Sequence, residues 1–210
     1  MFEQPLKFFV VFFVVVEPVS LIPLFTGLSS GATSQYKRRM ALKAVSISAV
    51  ILLLFALGGA PFLALMGISL ESFRIFGGLL LFLLSLEMVF ARESGTRTSS
   101  SEAAESRRRA DISVFPLAFP FIAGPGALAT ILLWFGPLRL PAQGALFGAY
   151  LIATFLVLLI ALILMLLAEP LMRVIGVTGA NVASRLLGVI LGALAVQFVL
   201  DGLRQAFGVG

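Results

Sequence analysis

Apolar positions in this chain gather into six long runs, near residues 5–28, 41–66, 71–91, 112–136, 144–170 and 179–206. A membrane span takes roughly 20 apolar residues, at about 1.5 Å of rise each, to cross a hydrocarbon core of about 30 Å. The pattern therefore predicts an all-α, polytopic membrane protein with six transmembrane helices. Polar positions fall between the runs, and the one substantial linker is RESGTRTSSSEAAESRRRAD, residues 92–111. That stretch is too rich in Ser, Arg and Glu to bury. It divides the chain into a first three-helix unit, 1–91, and a second, 112–210. The opening MFEQPLKFFV has no cationic leader and no small-residue cleavage site after it, so the first run is read as a retained span.

Several runs are interrupted, and the interruptions repeat. PFLALMG (61–67) is followed by RIFGG (74–78), and PLMRVIG (170–176) by RLLG (185–188); in both, Gly follows Pro by six residues and Arg by three, with offsets of 109 and 111 between copies. An offset of 107 lays Glu17-Pro18 on Gly124-Pro125. Copies of three helices each enter the membrane from opposite sides, the inverted-repeat plan of many secondary transporters. Pro5, Pro18, Pro23, Pro116, Pro120 and Pro125 all lie in the first helix of a copy. Proline lacks the backbone donor and clashes with the carbonyl four residues back, so the first helix of each copy is expected to be broken. Backbone freed in this way is tolerated only inside protein or along a watery cavity. Glu17 and Gly124 each lie 12 residues into their runs, roughly 18 Å deep at about 1.5 Å per residue, so the breaks are expected to meet near the midplane.

Composition narrows the function. Sixty per cent of residues are hydrophobic and mean hydropathy is +1.11, far beyond what one soluble core needs. Cysteine and histidine are absent, which removes disulfides, thiolate nucleophiles, haem and imidazole-ligated metals, and no cofactor or metal is expected. No serine has a histidine to activate it, so no enzymatic constellation emerges. The excess of 15 basic over 10 acidic residues is a signature of loop topology, and no nucleic-acid partner is expected. By alternate sides, eleven Lys and Arg (Lys37, Arg38, Arg39, Lys43, Arg92, Arg97, Arg107, Arg108, Arg109, Arg173, Arg185) face four (Lys7, Arg74, Arg139, Arg204). Basic residues are retained inside, which makes the linker cytoplasmic and both termini external. The 20 Phe against one Trp suit lipid-facing and packing surface.

The motifs EPVSLIPLF in the first run and FIAGPGALAT in the fourth, with RIFGGLLLF and the closing RLLGVILGALAVQFVLDG, resemble those of the MarC family of integral membrane proteins along nearly the whole chain. The family's usual first motif carries Asn or Asp before the proline, where this chain has Glu17; Asn cannot take up a proton and a carboxylate can. The resemblance implies six helices in the inner membrane, kinship with LysE-type exporters and transport of small neutral amino acids such as glycine and alanine. Homo-oligomerisation is left open.

Candidate site residues follow. An ionisable group at mid-membrane costs at least about 2.5–3.5 kcal/mol and is a functional hypothesis by default. Glu17 beside Pro18 is a candidate proton-coupling group or a partner for a substrate ammonium; the alternative is a protonated carboxyl stitching backbone freed by Pro18 and Pro23. Gly124, Pro125 and Gly126 offer bare N–H groups where a second half-helix begins, an electropositive end suited to a carboxylate; the alternative is close helix approach through small residues. Ser20 and Thr130 add candidate hydroxyl contacts. Arg74 and Arg185, equivalent in the repeat, are candidates to hold helix ends or gate a cavity, or else interfacial residues that snorkel. Glu87, Asp201, Asn181 and Gln197 are further polar positions, for pairing, headgroup contact or interhelical bonding. The expected function is a secondary transporter of small neutral amino acids, proton-coupled through Glu17, working by alternating access; a channel for small polar solutes or ions is the alternative.

Overall fold

A computed structural model describes residues 3–90, 111–139 and 141–208, so most of the predicted linker lies outside the described residues. Its elements are α1 (Glu3–Val16), α2 (Leu21–Leu28), α3 (Ser34–Leu65), α4 (Leu70–Phe90), an irregular α5 (Ser113–Ile122), α6 (Pro125–Phe135), α7 (Gly144–Leu166) and α8 (Ala168–Phe207). Helices α1 and α2 together form one broken span, and α5 and α6 form another, bent by 52°. With α3, α4, α7 and α8 this makes six candidate membrane spans when the bent α5–α6 pair counts as one, and five without it.

The two broken spans sit in the middle. In the most apolar window of the first span 61% of residues are buried, against 22–39% in α3, α4, α7 and α8, and α6 buries eight of its eleven residues. Span α1–α2 packs on α6, α7 and α8, while α3 packs on α5, α6 and α7. The outer helices turn large apolar side chains such as Leu65, Phe76, Ile152 and Val189 outward, as a lipid-facing shell requires. The phenylalanines divide between the roles: Phe8, Phe12 and Phe25 are fully buried and Phe62 and Phe90 exposed.

Local chemistry explains the breaks. Pro116 and Pro120 push the residues before them out of the helical region, and Phe115 (φ −125°, ψ 126°) and Phe119 (φ −132°, ψ 130°) adopt extended backbone. The first half of the fourth span is therefore not an α-helix, as a simple broken helix would have it; Leu117 and Ala123 donate their N–H groups to carbonyls five residues back, of Ile112 and Ala118. Both X-Pro bonds in it are cis. Helix α3 ends on Gly67 (φ +70°), with Ile68 N–H to Leu63 O at 2.9 Å and Gly67 N–H to Ala64 O at 3.0 Å, the paired bonds of a left-handed glycine cap. The corresponding Gly176 also has positive φ, +64°. There it kinks α8, because Pro170 lies in that helix's first turn, where a missing N–H costs nothing. The fifth span thus ends at Leu166, and residues 168–175 lead into the sixth.

Candidate functional site

Glu17 is the only non-glycine residue with positive φ among the described residues, at +52°, and it is 1% exposed. Its N–H closes the last turn of α1 on Phe13 O at 2.9 Å, and its carbonyl accepts Ser20 N–H at 3.1 Å. A left-handed conformation at a residue with a Cβ costs of order 1–3 kcal/mol and persists where the surroundings impose it. Strain and a buried carboxyl fall on the same residue, a combination that fold stability alone does not call for.

The carboxyl is well partnered. Ser20 Oγ and Ser184 Oγ both donate to Glu17 Oε1. Ser20 occupies the N-cap position of α2 yet makes no side-chain cap; its hydroxyl turns back to Glu17 instead. Ser184, on α8, is a site residue that sequence reasoning missed. It lies just before Arg185, in the repeat position of Phe73, and only that adjacency to a repeat motif marked it.

Gly124 and Pro125 open α6 at its N-cap and first helical positions. The close approach at Gly124 is to backbone: an added Cβ would lie 2.0 Å from Pro120 O, so only glycine fits. At Gly126 an added Cβ would come within 3.1–3.4 Å of Leu81, Val15 and Leu84, which sets the two breaks side by side. A cavity there is lined by Val15, Leu84, Pro120, Gly124, Gly126 and Ala127, among others, but not by Glu17. It leaves about 20 Å³ for water centres, about one water, too tight in this conformation for an amino acid. The structure thus joins Glu17 with Ser20, and Gly124–Gly126 with the end of α1, while the acidic and electropositive walls do not share a cavity.

Thr130 is buried and donates to Gly126 O at 2.9 Å, bonding within its own helix. Arg74 is half-buried on α4 and Arg185 exposed on α8, and neither has an ion-pair partner among the described residues. Gln197 donates to Asp201 Oδ1 at 2.8 Å within α8, and Asn181 is exposed.

The two ends of the molecule differ. At one end, Phe8 packs with Phe12, Trp134, Phe135 and Tyr150 at ring separations of 5.0–5.8 Å, and Phe147 joins through Phe135 at 5.0 Å. Tyr150 donates to Gln4 Oε1 at 3.4 Å. At the other end a polar recess of about 200 Å³ is lined by Thr26, Ser29, Ser34, Lys37, Arg38 and Glu169, with apolar neighbours. Ion pairs Lys37–Glu169 and Lys43–Asp111 join α3 to the first turn of α8 and to the segment just ahead of α5. Asp111 lies outside the spans, and the Lys43 hydrogen bond, then bonds from Ser113, lower its carboxyl pKa from 3.8 to about 2.

An all-helical shell around two broken, buried spans defines an integral multi-pass membrane protein. Residues 2–207 match the family described as MarC family integral membrane protein, and the chain belongs to that family. It is 35% identical to the UPF0056 membrane protein YhcE of Escherichia coli (strain K12), across 96% of this chain and 92% of that protein. A UPF0056 membrane protein of Aquifex aeolicus (strain VF5) is 34% identical over 95% of this chain and 92% of its own length, and one of Archaeoglobus fulgidus 31% over 94% and 91%. No solved structure matches.

Proposed function

We propose that the protein is a secondary transporter of small neutral amino acids such as glycine and alanine in the cell's inner membrane, with Glu17 as its coupling group and no enzymatic activity. The observation that carries the reading is Glu17 itself, a strained, buried carboxyl at the break of a central span. Two three-helix halves, 1–91 and 112–210, in inverted orientation would rock about the adjoining breaks. Supporting this, the repeat-related Gly67 and Gly176 both have positive φ, +70° and +64°. Helices α4 and α8, third in each half, run antiparallel: Gly202 lies against Ile75, Gly78 against Val199, and Gly188 against Met88.

The ends of the molecule suit alternating access. Lys37 and Lys43 meet Glu169 and Asp111 at one end, the end that the count of basic residues makes cytoplasmic, with the linker there and the termini outside. On this orientation the polar recess opens inward and the aromatic cluster closes the outer path. A zwitterion would bring its ammonium to Glu17 and its carboxylate to the N–H groups of Gly124–Gly126, after an opening that joins their two walls. Proton uptake by Glu17 would then allow the empty carrier to return.

The test is counterflow of labelled glycine and alanine in proteoliposomes, with and without an imposed pH gradient, for wild type and Glu17→Gln. Saturable exchange that responds to the gradient in wild type alone is the expected result. Non-saturable passive flux would identify a channel, and no flux above empty liposomes would overturn the amino-acid assignment.

A further inference from the structure

Several oxygens converge where α1 ends. Glu17 Oε1 receives both Ser20 Oγ and Ser184 Oγ, and the two hydroxyl oxygens are 3.5 Å apart. A serine hydroxyl has two acceptor lone pairs besides its proton, so all three oxygens can turn toward one positive charge. The last carbonyls of α1 precede Glu17 in the chain and lack their helical partners. Val14 O would bond the N–H of residue 18, which is proline and has none. Ser20 N–H goes to Glu17 O rather than to Val16 O, and neither Val15 O nor Val16 O accepts a backbone N–H among the described residues. The C-terminal end of a helix carries about half a negative charge. Unwound carbonyls and half-helix ends of this kind hold coupling cations in other carriers.

The chemistry selects the ion. All donors are oxygen, which suits a hard cation. One carboxylate balances one positive charge, and a divalent ion would leave a net charge buried in the membrane, a costly arrangement. Among the described residues no group of three acidic side chains exists to hold one. We propose that Glu17, Ser20, Ser184 and the carbonyl end of α1 form a site for an alkali cation of the sodium class.

The site gives the transporter reading its regulation, and in that respect rests on it. Glu17 and Ser20 belong to the first half and Ser184 to the second, so a bound cation ties the break of α1–α2 to α8 across the proposed rocking interface. By the same charge balance, sodium and a substrate ammonium would occupy this carboxylate in turn.

The experiment is thermal unfolding of the purified full chain with NaCl replaced stepwise by choline chloride at constant ionic strength. Wild type is expected to show a saturable rise in Tm with sodium. Outer-shell partners alone are worth about 10–100-fold in metal affinity, so Ser184→Ala should raise half-saturating sodium by at least about tenfold. Ser184→Thr should restore the response. Ser48→Ala removes a buried hydroxyl that is bonded to Ala44 O at 2.9 Å, and should leave it unchanged. Identical curves in sodium and choline, or an undiminished response in Ser184→Ala, would overturn the site. If sodium has no effect while glycine or alanine counterflow proceeds, the cation site falls and the carrier stands. A sodium response that Ser184→Ala weakens, without counterflow of either amino acid, upholds the cation site and removes the amino-acid carrier.

Discussion

Replacing Gly78 by Ala tests whether α4 and α8 are in fact packed backbone to backbone. An alanine Cβ at 78 would meet Val199 Cγ2 at 2.7 Å, Ala195 O at 2.9 Å and Val199 N at 3.0 Å. Two of these atoms belong to backbone, which cannot rotate away, so the helices must separate; overpacking of this kind costs about 1–3 kcal/mol. Against it stands the helix preference of Ala over Gly, about 0.8–1.0 kcal/mol. Gly58→Ala is the control, because nothing lies within 4 Å of a Cβ there and only the favourable part applies. The two variants should differ by about 1–3 kcal/mol, with Gly78→Ala the weaker. At about 2–4 °C per kcal/mol for a chain of this size, thermal unfolding of detergent-purified protein resolves the gap. A Gly78→Ala protein as stable as Gly58→Ala, or more so, would refute the packing argument.

Three further outcomes follow. The pKa of Asp111 is lowered to about 2 in the folded chain against 3.8 for the free group, so its stabilisation is present above 3.8 and lost as pH falls toward 2. Wild type and Asp111→Asn should converge in stability over that window in a pH series of unfolding curves, and a constant gap would contradict it; both partners are 42–44% exposed, so the effect stays below about 1 kcal/mol. The chain has no native cysteine, so single cysteines report sidedness cleanly. Glu169→Cys and Asp111→Cys should react with a membrane-impermeant thiol reagent from one side and Gln4→Cys from the other, and reaction of all three from one side would break the topology. Phe8→Ala should lose about 3–5 kcal/mol, read as Tm, because Phe8 is fully buried among four rings; a loss within about 1 kcal/mol would show that the aromatic end is not tightly packed.

Much of the architecture was legible in the chain because lipid imposes a simple rule: apolar runs of sufficient length become spans. The broken first span was legible for a different reason, since Pro18 and Pro23 remove donors from an otherwise continuous helix. Sequence periodicity could not show the five-residue turns of α5, which arise from how Phe115 and Phe119 respond to the prolines after them. Nor could it assign residues 168–175, because AEPLMRVI, with Glu169 and Arg173 among apolar residues, extends either neighbour equally well until Leu167 turns and Gly176 kinks. Glu17 and Ser20 stood out as polar groups in an apolar run. Ser184 did not, because its partner is 167 residues away and a single serine in a helix resembles any other. That unseen hydroxyl is what bonds the Glu17 carboxyl to α8.

The most direct test of a site reached alternately from both faces uses Ser184→Cys, the residue beside Glu17, in reconstituted vesicles of fixed orientation. Small impermeant thiol reagents should modify it from either side, and glycine or alanine should slow both reactions by occupying the site. Modification from one face only, at a rate indifferent to either amino acid, would contradict alternating access.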